Sequence, residues 1–158
     1  MKTNKITILG IGNTLFSDEG VGIYLLPILE TALKDFENIE FVEGLTDGMK
    51  LLGPVEDAEN LIIIDAINAG KPGGTIIKLV GDEIPAYFGI KMSVHQMGFQ
   101  EVLLAAKLRE RYPKQIVMFG MQPTSLELGI GLTETNQARL GELAQSIIEQ
   151  VNAWSEAA

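Results

Sequence analysis

Glu19, Asp65 and His95 are the residues of this chain whose types and positions suit shared chemistry. Glu19 follows the first strand-like run, Asp65 ends the third, and His95, the only histidine, opens a helical pattern. An α/β chain brings residues at such positions to one edge of its sheet. Two carboxylates and an imidazole suit a borderline divalent ion such as zinc or nickel, and coordination positions left to water or a substrate group permit catalysis. The chain has no cysteine, so a metal would rest on oxygen and nitrogen donors, and thiolate nucleophiles and disulfides are excluded.

Each residue also has a plainer explanation. Glu19, in Asp18-Glu19-Gly20 ahead of a helix, carries the charge that complements a helix N-terminus. Asp65 directly follows the aliphatic run Leu61 to Ile64, where a charge is costly unless hydrogen-bonded, paired or metal-bound. In a first helical turn His95 is disfavoured as a cation, which keeps its imidazole neutral and able to ligate.

The elements that must position these groups follow from periodicity. Ile6 to Leu9 reads as a strand stopped by Gly10, and Val21, Leu25, Ile28, Leu29, Ala32 and Leu33 mark one stripe of a helix. Ile39 to Val42 predicts a second strand closed by Glu43-Gly44, with a brief helix over Asp47 to Leu52 that Gly53-Pro54 ends. Leu61 to Ile64 suits a strand buried on both faces at the sheet centre. The turn cluster Gly70 to Gly74 leads so quickly into Thr75 to Val80 that an antiparallel hairpin is expected. Pro85 to Met92 reads as a loop, Ser93 and Gln96 have capping-box spacing, and Phe99, Val102, Leu103 and Ala106 continue that helix. Gln115 to Met121 makes a fifth strand, and Leu140, Leu143, Ala144, Ile147, Ile148 and Val151 form the face of a last helix. The order predicts an α/β three-layer sandwich: a mostly parallel five-stranded sheet with one antiparallel strand, helices on both faces, and a single domain over 1–158.

Composition narrows the function. A length of 158 residues with 46% apolar content supports one full core. No apolar run approaches the roughly 20 residues of a membrane span. Only Met1 to Lys5 precede the first strand, too few for a signal peptide, so cytoplasmic residence is expected. A net charge of −9, from 12 basic against 21 acidic residues, argues against nucleic acid. Gly10-Ile11-Gly12 begins like a dinucleotide fingerprint, but Leu15 stands where its third glycine belongs. A nucleotide-binding oxidoreductase using Gly10, Gly12 and Glu43 is the alternative on that ground. Walker A and G-x-S-x-G motifs are absent.

Five segments then carry a resemblance. Gly10-Ile11-Gly12-Asn13-Thr14-Leu15-Phe16-Ser17-Asp18-Glu19-Gly20-Val21-Gly22 resembles the opening signature of the hydrogenase maturation endopeptidases, which trim the large subunit of nickel-iron hydrogenases. Glu43 to Met49, Ile64-Asp65-Ala66 and Ser93 to Gly98 are similar to that family in the same order, and Pro123 to Glu127 leading to Gly131-Leu132-Thr133 resembles its late loop. The resemblance implies that Glu19, Asp65 and His95 are the metal-contacting triad and that the 43–48 loop serves substrate recognition and cleavage. Where the family commonly has an Asp-Gly-Gly-Thr-like run, this chain has Glu43-Gly44-Leu45-Thr46 followed by Asp47.

The reading that results is an endopeptidase that removes a C-terminal extension from a hydrogenase large-subunit precursor after nickel insertion. The nickel ion is expected to arrive with the precursor, other divalent metals being able to occupy the same ligands, and a monomer suits docking on a large partner. The metal would polarise the peptide carbonyl or activate water, with Glu43, Asp47 or Asp18 assisting proton transfer; recognition by the metal with acid-based cleavage fits the same residues. A non-catalytic factor that binds nickel or the precursor is the remaining alternative.

Overall fold

The computed structural model describes residues 5–44, 48–90 and 94–156, except for the side chains of 48–49, 88–90 and 94–98. Five strands, β1 (Ile6–Ile11), β2 (Ile39–Gly44), β3 (Asn60–Ala66), β4 (Ile76–Val80) and β5 (Gln115–Met121), form one sheet in the order β2-β1-β3-β5-β4. The first three pairings are parallel, and β4 runs antiparallel to β5 at the edge. The helices are α1 (Val21–Ala32), α2 (Leu52–Asp57), α3 (Glu83–Ile90), α4 (Val94–Leu108) and α5 (Glu134–Glu156), with 3-10 turns at Ser17–Gly20 and Gly48–Leu51.

The two-residue period of the strands divides the core. Ile6, Ile8, Ile62, Ile64, Val117 and Phe119 meet α1 and α5 through Leu25, Leu29, Leu143 and Ile147. Leu9, Leu61, Ile63, Ile116 and Met118 meet the other helices through Val55, Ile84, Phe99 and Val102. This is the expected three-layer sandwich, with β3 central and buried throughout.

Several local expectations change. The antiparallel strand pairs with β5 and not with β3, because β1 and β5 already occupy both edges of β3. The residues 83–90 form α3 and not a loop: Glu83 Oε1 accepts the Val80 N–H at 2.8 Å, and Pro85 sits in the first turn, where no helical N–H is required. The chain stays helical past Gly53-Pro54 for the same reason, Pro54 lying in the first turn of α2. On α1, Leu26 is buried while Ile28 is 42% exposed, so the contact face is rotated from the expected stripe. The Ser93 cap lies outside the described residues.

Helix α1 approaches the sheet backbone to backbone. A Cβ at Gly22 would stand 2.3 Å from the Ile11 carbonyl oxygen and 2.4 Å from that of Ile64, and one at Gly10 would stand 2.3 Å from the Gly22 carbonyl oxygen. No side chain fits in either place, so the glycines set how closely the helix start meets β1 and β3.

A buried carboxylate ties the turn before α1 to the chain's late loop. Asp18 Oδ2 accepts the N–H groups of Thr124 at 2.8 Å and Ser125 at 3.1 Å, and Oδ1 accepts that of Thr133 at 2.8 Å. The Thr133 hydroxyl also donates to this carboxylate, at 2.9 Å from Oδ2. Thr133 in turn precedes α5, where its Oγ1 accepts the Asn136 N–H at 3.4 Å. Fully buried Asn136 accepts the Thr124 hydroxyl at 2.6 Å and donates to the Gln122 carbonyl at 3.1 Å. Gln122 Oε1 accepts the Ala69 and Lys71 N–H groups, at 2.7 and 3.2 Å, so the loop after β3 joins the same chain of bonds.

Gly22→Ala is expected to destabilise the protein by about 3 kcal/mol or more, since the new Cβ meets two strand carbonyls that cannot yield separately. Gly141→Ala should stabilise by roughly 0.5–1 kcal/mol, because Gly141 lies within α5 with nothing near its missing Cβ. Urea unfolding of both variants checks the contrast, and equal midpoints would show that helix seating is slack. Asp18→Asn exchanges a charged acceptor for an amide in front of several donors and should cost about 2–3 kcal/mol, read from the thermal midpoint.

Candidate active site

Strands β1, β2 and β3 run parallel and end on the same edge, and the candidate residues gather around it. The 3-10 turn Ser17–Gly20 lies against β3 and leads directly into α1. Gly12, at φ 153°, shows how tight that approach is: a Cβ there would stand 2.3 Å from the Glu19 carbonyl oxygen. Glu19 is thus held by its own backbone over the end of β1, and it is buried. The same contact argues against the dinucleotide alternative. The space before Gly12, where a pyrophosphate would approach the backbone, is filled by the chain itself.

Asp65 is the sixth residue of β3 and is fully buried. Its Oδ1 accepts the Ala66 N–H at 2.8 Å, a charge-compatible bond that fixes the carboxylate at the strand end. Strand alternation continues the row Leu61, Ile63 into Asp65, and that row faces the layer containing α4. The Gly22 contact with the carbonyl of Ile64 sets the Glu19 turn next to this point of β3.

The start of α4 is brought to the same edge by topology. Helix α4 ends at Leu108, a short connection leads to β5, and Lys114 N–H donates to the Glu59 carbonyl at 2.8 Å just before β3 begins. The C-terminal end of α4 therefore lies near the strand starts. Its 15 residues extend about 22 Å, comparable with the roughly 23 Å length of the seven-residue β3. The first turn of α4, with His95 as its second residue, accordingly lies towards the strand ends. The His95 side chain falls outside the described residues, and among the described residues no group of three His, Cys, Asp or Glu side chains is arranged to hold a metal. The chemistry of the donor set still fits a borderline divalent ion: two carboxylates and an imidazole contributed from three elements at one sheet edge.

The other acids differ in position. Glu43 is exposed near the end of β2, paired in register with Gly10. It continues the row Ile39, Phe41, which packs towards α1, whereas the Asp65 row faces α4. The strand pattern does not set Glu43 beside Asp65. Asp47 lies outside the described residues. Asp18 is adjacent to Glu19 in sequence but has a different duty: its carboxylate is occupied by the late loop, which corrects the expectation that it assists proton transfer.

The residues that sequence reasoning overlooked are Thr124, Gln122 and Asn136, which carry the bond network from Asp18 to the loop after β3. Thr133 three residues before Asn136, at the start of an apolar helical pattern, was the available signal. Its partner across the fold had none.

Comparison with known proteins agrees with this fold. The family model for hydrogenase maturation protease matches residues 23–150. The hydrogenase 2 maturation protease of Escherichia coli K12 is 37% identical over 145 residues, covering 91% of this chain and 88% of that protein. The hydrogenase expression/formation protein HoxM of Cupriavidus necator is 36% identical over 151 residues, covering 94% of this chain and 75% of its own length. Among solved structures, the hydrogenase maturating endopeptidase HybD of E. coli superposes with a TM-score of 0.86 at 34% identity, over 94% of this chain and 93% of that one. A matching family model over most of the chain and relatives of this similarity along nearly its whole length together place the protein in the hydrogenase maturation protease family.

Proposed function

We propose that this peptidase acts as a cytoplasmic monomer on the large-subunit precursor of a nickel-iron hydrogenase, removing its C-terminal extension once nickel has been inserted. The observation that carries the reading is the contact of Gly22 with the carbonyls of Ile11 and Ile64, which holds the Glu19 turn against the strand that ends in Asp65. Glu19, Asp65 and His95 would engage the nickel that the precursor carries, so that only a loaded precursor is held with its scissile peptide over the sheet edge. Among the described residues no helix is long and apolar enough to cross a membrane.

The reaction is hydrolysis of one peptide bond. Water adds to the scissile carbonyl, the C–N bond breaks, and the leaving amine takes a proton. Glu19, Asp65 and His95 would hold the nickel brought by the substrate, which would either supply Lewis-acid activation of that carbonyl or serve recognition alone. The proton transfer falls to an acid at the sheet edge, for which Glu43 and Asp47 are the candidates once Asp18 is committed to the late loop.

The direct experiment is incubation of the protein with nickel-loaded and nickel-free precursor, followed by intact mass measurement; a loss of mass is expected in the loaded sample alone. His95→Ala and Asp65→Asn should each reduce the processing rate by about 100-fold or more. The His95 variant is expected to keep its thermal midpoint. Wild-type processing by a folded His95→Ala protein would remove the histidine from the reaction.

A further inference from the structure

Five of the large apolar residues that the fold leaves exposed belong to two short segments beside the candidate site: Leu15 and Phe16, and Leu126, Leu128 and Ile130. Leu128 is 78% exposed and Ile130 85%, values that a chain rarely keeps for such side chains in neighbouring positions without a use.

These segments are not slack. Phe16 and Gly129 form a parallel bridge in which Gly129 N–H donates to the Leu15 carbonyl at 2.8 Å and Ser17 N–H to the Gly129 carbonyl at 2.9 Å. The register sets Leu15 alongside Leu128. Ser17 Oγ donates to the Glu127 carbonyl at 2.7 Å. The Tyr24 hydroxyl, from α1, accepts the Gly131 N–H at 3.0 Å and donates to the Thr14 carbonyl at 3.4 Å. Asp18 completes the attachment through Thr124, Ser125 and Thr133. The backbone is thus organised so that apolar side chains are presented outward, which lowers the ordering cost when a partner covers them.

From this arrangement, and on the reading of the protein as a precursor-processing peptidase, we infer that the Leu15–Phe16 and Leu126–Ile130 segments form the docking surface for the precursor. The surface would grip an apolar stretch of that partner carrying a Lys or Arg. Two observations select this occupant. The patch is continuous with the site, since Phe16 and Ser17 lead straight into Asp18 and Glu19. The exposed Glu127 lies between Leu126 and Leu128, so a cation set among the partner's apolar side chains is complementary to it. A second copy of this chain is the less suitable occupant, because two molecules of net charge −9 would bring Glu127 against its own kind.

The test uses the full chain and nickel-loaded precursor. The double variant Leu128→Ser with Ile130→Ser and the single variant Glu127→Lys are compared with wild type for KM, kcat, precursor binding by calorimetry, and sedimentation of the protein alone. The double variant is expected to raise KM and Kd by about tenfold or more with kcat retained at saturation, and Glu127→Lys to weaken binding most at low salt. KM and Kd within twofold of wild type in the double variant would overturn the inference. So would a wild-type dimer that the double variant converts to a monomer with unchanged KM, because the patch would then serve a second copy. Failure of the peptidase reading is read separately: a wild-type protein that binds precursor, loses affinity on substitution and leaves the precursor mass unchanged retires cleavage and keeps docking.

Discussion

The backbone contact between the start of α1 and the ends of β1 and β3 governs the candidate site. Gly10 and Gly22 remove the side chains that would otherwise separate helix from sheet. Without that closeness the Glu19 turn would ride higher, and the carboxylate of one element would no longer share an edge with Asp65 of another. Gly12, beside them, separates this chain from the dinucleotide fold that Gly10-Ile11-Gly12 resembles in sequence. In a dinucleotide fold the missing Cβ admits a phosphate, whereas here it admits the carbonyl of Glu19.

Adjacent acids can look equivalent in a sequence and be separated by their surroundings. Asp18 and Glu19 both precede α1, and both are buried. Asp18 is consumed by backbone N–H groups and a hydroxyl from the loop between β5 and α5, and its charge strengthens each of those bonds. The continuation through Thr133, Asn136 and Gln122 connects three loops on the strand-end side by polar contacts. The scaffold around the site is thereby stiffened by hydrogen bonds in a place where a helix or strand cannot reach.

The parts of the fold readable from sequence are those where one local period decides the outcome. Leu61 to Ile64 belong to a strand buried on both sides, and their alternate packing into the two cores follows directly. The antiparallel sense of β4 was also legible, from its short link to β3. Its partner was not, because pairing with β5 depends on a strand that enters the sheet some forty residues later. Pro85 obscured α3, since a proline in a first turn looks the same in sequence as one in a loop. In the site, the strand-end position of Asp65 and the helix-start position of His95 were readable from element boundaries. The role of Asp18 was not, because its partners lie more than a hundred residues away.

A protease has to be inert towards every protein except its substrate, and the residues of this chain suggest how that is achieved. It has no cysteine and no nucleophile elbow, so a covalent route by thiolate or activated serine of that type is not built in. On the proposed reading the chain supplies ligands and position, while the substrate supplies the electrophile that makes a peptide carbonyl reactive. Cutting then depends on two independent conditions, a loaded metal at the sheet edge and a matching apolar segment on the pinned loops. On that reading neither condition alone would produce hydrolysis: a docked precursor without nickel would lack activation, and nickel alone would offer no peptide. Dividing the active centre between enzyme and substrate in this way makes selectivity a consequence of assembly, with no need for a narrow pocket that reads the sequence around the cut.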